Sequence, residues 1–237
     1  INVDKNDTKG MYWLTGSQQF HLMKNVSESL AGRVGIVNLN SFTYAEIVRN
    51  TNKVLFNPTN LIKADKIDVN TLFETIYKGG MPELYNNKEI NRELYFQGYI
   101  DTYISRDVRE LTEIGNIDSF KKFIVSMASR TGEQLNYTSL ANDAGISVPT
   151  AKAWTSILTS SGLVYLLEPY MSSELKRLTH VPKIIFMDTG LASYLAGWES
   201  AKELQLSSNA GQYLETFVIS EIVKSYNAKR IRPNLYY

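Results

Sequence analysis

The chain has 237 residues, 25 Lys plus Arg against 24 Asp plus Glu, 2 His and no Cys. That excludes a disulfide framework and thiolate catalysis, and leaves no His/Cys set for a zinc site. With a net charge of +1 and 43% apolar residues, it reads as an ordinary globular protein without a global pull towards nucleic acid or anionic membrane, and no apolar run approaches the roughly 20 residues of a membrane helix.

The chain opens with Met11-Tyr12-Trp13-Leu14, which reads as a buried strand ending in the turn Thr15-Gly16-Ser17. Ser17 is placed to cap a helix over residues 18–30, which Gly32 would stop. Residues 34–39 read as a second short strand, and Ser41 as the start of a short helix through Tyr44-Ala45-Glu46-Ile47. Strand, helix, strand, helix predicts an α/β unit with a parallel sheet. Two strands do not close such a sheet, so further strands are expected upstream. The closing residues, Asn234-Leu235-Tyr236-Tyr237, read as a strand just beginning. Both ends predict a fragment of a longer protein.

Residues 51–64 read as a connection, and residues 72–77 as a helix stopped by Gly79-Gly80. A long helix is predicted over residues 89–112, with Leu94, Phe96, Tyr99, Ile100, Tyr103, Ile104, Val108 and Leu111 on one buried stripe. Arg106/Glu110 and Arg109/Glu113 form i,i+4 pairs on its other face. After Gly115, Asp118 is placed to cap a helix over 119–130, and a short helix runs from Tyr137 or Thr138 to Ala144. Gly145 turns the chain, and Ser147 caps a third helix with Pro149 in its first turn, where a missing N–H costs little. Ala151, Trp154 and Leu158 make the inner stripe of that helix. Strands are predicted over 163–167 and 183–187, giving the order of a winged helix-turn-helix. A short helix follows Asp188-Thr189-Gly190, then a loop, then a strong helix over 212–226 with Leu214, Phe217, Val218, Ile222 and Val223 as its apolar face.

The helix-turn-helix signal is Ala141-x-x-x-Gly145-Ile146-Ser147: a small residue where two helices cross and a glycine for the turn. Its recognition helix offers Thr150, Lys152, Thr155 and Ser156 to DNA, but with a single charge. From Ile117 to Tyr170 four basic residues face four acidic ones, which is not a basic footprint. DNA contact and a packing or protein-contact role both stay open. No G-x-x-x-x-G-K-[ST] segment is present, so nothing in the sequence cradles phosphates. Glu215 and Glu221 lie on the last helix, with Glu221 expected to pair at the surface with Lys224 or Ser225.

Leu14-Thr15-Gly16-Ser17-Gln18, Ser29-Leu30-Ala31-Gly32-Arg33-Val34, Gly79-Gly80-Met81-Pro82-Glu83, Tyr103-Ile104-x-Arg106-Asp107-Val108 and Asp188-Thr189-Gly190-Leu191 stand in this order. The chain thereby resembles a large group of prokaryotic AAA-type ATPases with a P-loop core, a helical lid, a winged helix and a C-terminal domain similar to restriction-endonuclease-like folds. The resemblance implies a mixed α/β, predominantly helical chain. Residues 1–50 would end the parallel-sheet ATPase core, 51–116 form the lid, 117–190 the winged helix-turn-helix and 191–237 the beginning of the nuclease-like domain. It also implies that Thr15-Gly16-Ser17 ends the sensor strand with Ser17 or Thr15 near a γ-phosphate, that Arg33 is a phosphate-sensing or finger-type arginine, that Arg106 is a second sensor, and that Glu215 matches an occasional metal-site acid.

The intact parent would bind ATP and Mg²⁺ in the cytoplasm. This chain, without Walker A and Walker B segments, is expected neither to hydrolyse ATP nor to bind it tightly. Three functions follow: an ATPase switch acting on a protein partner, an ATP-regulated DNA-binding protein, or a stand-alone winged-helix adaptor.

Overall fold

The structure, a computed structural model, describes residues 10, 13, 35, 37–50, 66–87, 89–103, 117–171 and 180–237. The chain divides into two units, Ile1–Gly35 and Ile36–Tyr237. In the first, Trp13 is 82% exposed and in no strand, against its expected place in a buried one. All elements below belong to the second.

Among the described residues the unit is predominantly helical. Its elements are α1 (Tyr44–Ile47), α2 (Val69–Lys78), α3 (Glu83–Asn86), α4 (Arg92–Tyr103), α5 (Ile117–Ala128), α6 (Tyr137–Ala144), α7 (Val148–Ser160), β1 (Val164–Leu167), β2 (Lys183–Phe186), α8 (Thr189–Leu195), α9 (Ala201–Leu206) and α10 (Ala210–Ala228). Side-chain caps fix most of the helix starts. Asp68 accepts from the Thr71 amide, Asn136 from Ser139, Ser147 from Thr150 and Ser200 from Glu203. Each satisfies one of the amides that a helix start leaves orphaned. At α1 the cap is Thr43, not Ser41. Thr43 and Glu46 form a reciprocal capping box.

Helices α5, α6 and α7 close around an aromatic centre. The Trp154 ring stands edge-on to Phe120 and Phe123, with centroids 5.1 and 5.5 Å away. Phe120, Phe123, Ile124, Met127, Leu140 and Leu158 are fully buried around it. Burying side chains of this size contributes roughly 1.5–3 kcal/mol each. Ala141 and Ala151, both buried, keep α6 and α7 close. Gly145 ends α6 in the left-handed region at φ 65°. The predicted inner stripe Ala151, Trp154 and Leu158 is buried.

Strand β1 pairs antiparallel with β2, Val164 opposite Phe186 and Leu167 opposite Lys183. The stretch after α5 joins β2's other edge: the Gly132 amide donates to Ile184 O (2.7 Å), Ile184 to Glu133 O (2.9 Å) and Leu135 to Pro182 O (2.8 Å). Past the end of β1, Glu168 bridges Tyr236 in the parallel sense. The Tyr237 amide donates to Glu168 O and the Tyr170 amide to Tyr237 O. Residues 234–237, expected to begin a strand, form a single bridge at Tyr236 and no strand. Among the described residues the sheet is this small antiparallel one, and no parallel P-loop sheet is present. Residues 37–39, expected in a core strand, are irregular, with Leu39 95% exposed.

Two helical faces differ from expectation. On α4, Phe96 and Ile100 are buried but Leu94 is 68% exposed. On α10, Leu214 and Val218 are exposed, while the core side is Tyr213, Thr216, Ser220, Val223 and Lys224. The buried side carries hydroxyls of Thr216 and Ser220 that find partners. Thr216 pairs its hydroxyl with that of Thr131 (3.0 Å), and the Ser220 hydroxyl donates to Phe217 O within the helix.

Gly98 lies within α4 with open space where a Cβ would stand. Gly98→Ala is expected to stabilise the fold by about 0.5–1 kcal/mol, read from a urea melt, because a helical glycine has more backbone freedom to lose than alanine.

Candidate functional site at the Gly79–Asp188 junction

Gly79-Gly80 and Asp188-Thr189-Gly190 are 108 residues apart in the chain, and the fold brings them into contact. Gly79 ends α2 at φ 76°, a conformation side chains disfavour. A Cβ on Gly79 would lie 2.7 Å from Gly190 Cα and nearer still to the Asp188 carboxylate. A Cβ on Gly190 would lie 2.7 Å from Gly79 Cα and 2.6 Å from the Lys78 carbonyl carbon. Two backbones touch here, and only glycine leaves the room.

Asp188 binds both. It is 4% exposed. Its Oδ1 accepts from the Leu191 amide (2.9 Å), capping α8, and its Oδ2 accepts from the Gly80 amide (2.9 Å). Charge-assisted hydrogen bonds of this kind are about twice as strong as neutral ones.

Arg92, at the start of α4, ties in the next layer. Its Nε and Nη2 donate to Tyr77 O (3.2 and 3.0 Å), and Nη2 also to Gly190 O (3.1 Å) and Ser193 Oγ (2.7 Å). The guanidinium lies 3.9 Å from the Tyr77 ring centroid and pairs with Glu93. One side chain thus satisfies the end of α2 and holds it to α8. The Tyr85 hydroxyl donates to Gly79 O (2.6 Å). Burial pushes its phenol well above the usual range, and the Asp188 charge adds to that.

The segment before α1 fastens to the other side of the turn. The Phe42 amide donates to Gly80 O (2.7 Å), and a Cβ on Gly80 would meet the Phe42 backbone. Lys224 of α10 donates to Phe42 O (3.3 Å), and Glu221 Oε2 accepts from the Tyr44 amide (2.7 Å). Lys224 and Glu221 stand 3.7 Å apart, with Lys224 5% exposed. Burial raises the Glu221 carboxyl above its ordinary value, against the opposing pull of Lys224 and the Tyr44 amide. The expected Glu221–Lys224 pair is therefore present but largely buried, and its work is to grip residues 42–44.

This arrangement joins elements. Among the described residues, no group of three or more Asp, Glu or His is placed to hold a metal.

The residues expected at functional sites are spread over the structure. Thr15, Ser17, Arg33 and Arg106 lie outside the described residues. On α7, Thr150 is half-buried with its hydroxyl 2.8 Å from that of Ser147. Lys152 is exposed, its ammonium 5.6 Å from the Tyr137 ring centroid. Ser156 is exposed. Thr155 is 2% exposed and its hydroxyl donates to Ala151 O (2.8 Å), so it faces the core and not a ligand. Glu215 pairs with Lys183 of β2 (2.6 Å). The residues that sequence reasoning missed are Arg92 and Phe42, and for Lys224 it missed the contact with the Phe42 carbonyl. Arg92 stands one residue inside a polar helix start, and nothing in its spacing marks it.

Residues 2–48 match the AAA domain family, which supports an AAA-type origin for this part. Over 239 aligned residues the chain is 26% identical to uncharacterized protein Rv2008c of Mycobacterium tuberculosis and to uncharacterized protein Mb2031c of Mycobacterium bovis. Each alignment takes in 100% of this chain and 48% of the relative, so the chain spans about half the length of the curated relatives it matches. No solved structure matches. No helix among the described residues is long and apolar enough to cross a membrane. Residues 69–202, more than half of the chain, match the family described as a domain of unknown function (DUF8612), and it is to this family that the chain belongs.

Proposed function

We propose that this chain is part of an AAA-type ATPase in which the nucleotide state of the core is passed to a winged-helix module acting on a protein partner. The observation that carries the reading is where the AAA-like stretch ends. The match runs to residue 48, and residues 42–44 are the ones gripped by Gly80, Glu221 and Lys224. From Gly80 the hydrogen bonds continue through Asp188 to α8, directly after β2. Helices α5, α6 and α7, the stretch 132–135, β1 and β2 follow the order of a winged helix, and that module takes the role of output. ATP and Mg²⁺ would be held by the intact parent, with Thr15, Ser17, Arg33 and Arg106 as the residues that report on phosphate. In this reading Glu215, already paired with Lys183, supports the last helix and no metal.

The competing reading is a DNA-binding protein working through α7, and the order of its elements favours it. Its charge does not: Lys152 is the only cation within Val148–Ser160. Phosphate contacts supply most non-specific affinity for duplex DNA. The test is duplex binding by the 237-residue chain across a salt series. No binding at low salt is expected. Binding that weakens steeply with salt would transfer the role of α7 to DNA. The ATPase reading is tested separately, by Mg²⁺-dependent ATP turnover of the native full-length protein, and absence of both nucleotide binding and turnover would end it.

A further inference from the structure

We propose that residues 42–47 form a releasable clasp whose latch is the Glu221–Lys224 pair of α10, and that the nucleotide state of the preceding AAA-like region sets whether it is closed. The second clause rests on the ATPase reading above, and the first stands on geometry alone.

The clasp is a short element with little apolar hold. Helix α1 is four residues long and buries no side chain. A helix of one turn is not stable by itself in water, so its order comes from what it touches. Among the described residues, three hydrogen bonds tie its backbone to the rest of the unit. The Phe42 amide donates to Gly80 O, Lys224 donates to Phe42 O, and Glu221 accepts from the Tyr44 amide. One joins the clasp to the turn after α2 and two join it to α10. Such contacts are lost together when the backbone shifts, whereas an apolar core resists graded movement.

The latch residues are unusual for their place. Lys224 is nearly fully buried and donates its hydrogen bond to a backbone carbonyl of the clasp, and Glu221 spends one carboxylate oxygen accepting from a clasp amide. A buried pair whose purpose was only to hold α10 in the core would be replaceable by apolar residues at little cost. Here the partners are the clasp's own backbone groups, so the pair senses whether the clasp is seated. Opening the clasp takes from Lys224 its acceptor at Phe42 and from Glu221 its donor at Tyr44. Opening is therefore opposed by local electrostatics and not by loss of core. The Phe42 contact also bears on Gly80, whose amide is held by Asp188, so movement at the clasp reaches the junction between α2 and α8.

The test is amide hydrogen exchange. In the 237-residue chain the double variant Glu221→Leu with Lys224→Leu removes both latch groups and keeps an apolar side for α10 to bury. The expected result is exchange about tenfold faster or more at the amides of Tyr44, Ile47 and Val48, with those of α5 to α7 unchanged. Glu221→Gln, which keeps an acceptor for the Tyr44 amide, is expected to give a smaller rise and serves if the double variant does not fold. Unchanged exchange at these amides, or a rise shared with α5 to α7, overturns the latch. In the native full-length protein the same amides are then followed with ATP analogue and Mg²⁺ against ADP. A difference confined to residues 42–48 supports nucleotide control. Nucleotide binding with no difference there overturns that control while leaving the ATPase reading standing. No nucleotide binding overturns the ATPase reading and nucleotide control with it, and the latch is then judged by the variants alone.

Discussion

Gly190→Ala is expected to cost about 3 kcal/mol of stability, although alanine is the better helix former by about 1 kcal/mol. The sign is decided by what the new Cβ meets. At Gly190 it would lie 2.6 Å from the Lys78 carbonyl carbon and 2.7 Å from Gly79 Cα, both backbone atoms that cannot rotate away. Relief requires α2 and α8 to separate, and separation stretches the Asp188–Gly80 hydrogen bond and the Arg92 contacts together. Gly145→Ala is the useful comparison. Its φ is 65°, but nothing stands within 4 Å of the added atom. It should lose only the cost of a left-handed alanine, about 1–2 kcal/mol. Urea melts of both variants against the parent chain separate the two causes. If Gly190→Ala proved as stable as the parent, or if Gly145→Ala were the worse of the two, the close approach of the backbones would not be what makes this position glycine.

The glycines at 79, 80 and 190 stood out in the sequence as parts of motifs, and residues 72–77 could be read as a helix stopped by Gly79-Gly80. What the sequence could not supply was that the two motifs are one place. The reason is physical. The periodicity of a helix is written in neighbouring residues, whereas a backbone contact between positions as distant as 79 and 190 leaves only a glycine on each side. The three helices α5 to α7 were legible because their signals are local: Ser147 with Pro149, Gly145, and the stripe Ala151, Trp154, Leu158. Helix α9 falls in a stretch without helical periodicity, yet Ser200 and Glu203 carry the S-x-x-E signature of a helix start, and the structure uses both side chains. On helix α10 apolar periodicity does not coincide with burial. Leu214 and Val218 match the helical spacing as well as Tyr213 and Val223 do, and the buried side carries hydroxyls and a lysine that find partners. At the candidate site the same rule holds. Arg92, Phe42 and Lys224 act through backbone carbonyls and amides, and such contacts carry no signature in residue type.

Asp188→Ala is expected to destabilise the chain by about 3 kcal/mol, and a serine at this position divides that loss into its parts. Asp188 does two jobs with two oxygens. Oδ1 caps α8 through the Leu191 amide, a role usually worth about 1 kcal/mol. Oδ2 satisfies the Gly80 amide across the junction, where an unpartnered buried donor costs about 1–3 kcal/mol. Alanine removes both. In Asp188→Ser the hydroxyl keeps the cap but is too short to reach Gly80 as well, so this variant should recover about 1 kcal/mol of the loss and no more. A structural cap alone predicts the opposite, with serine close to the parent. A second readout separates a local effect from general loosening. Part of the upward push on the Tyr85 phenol comes from the Asp188 charge, so in Asp188→Ser that group should ionise at lower pH than in the parent, with burial still holding it above the ordinary tyrosine value. A Tyr85 titration unmoved by loss of the carboxylate, or a serine variant as stable as the parent, would mean that Asp188 serves α8 alone and that the two motifs meet without depending on each other. The expected result is that they do depend on each other, because the same carboxylate that starts α8 also fixes the turn on which Phe42 rests.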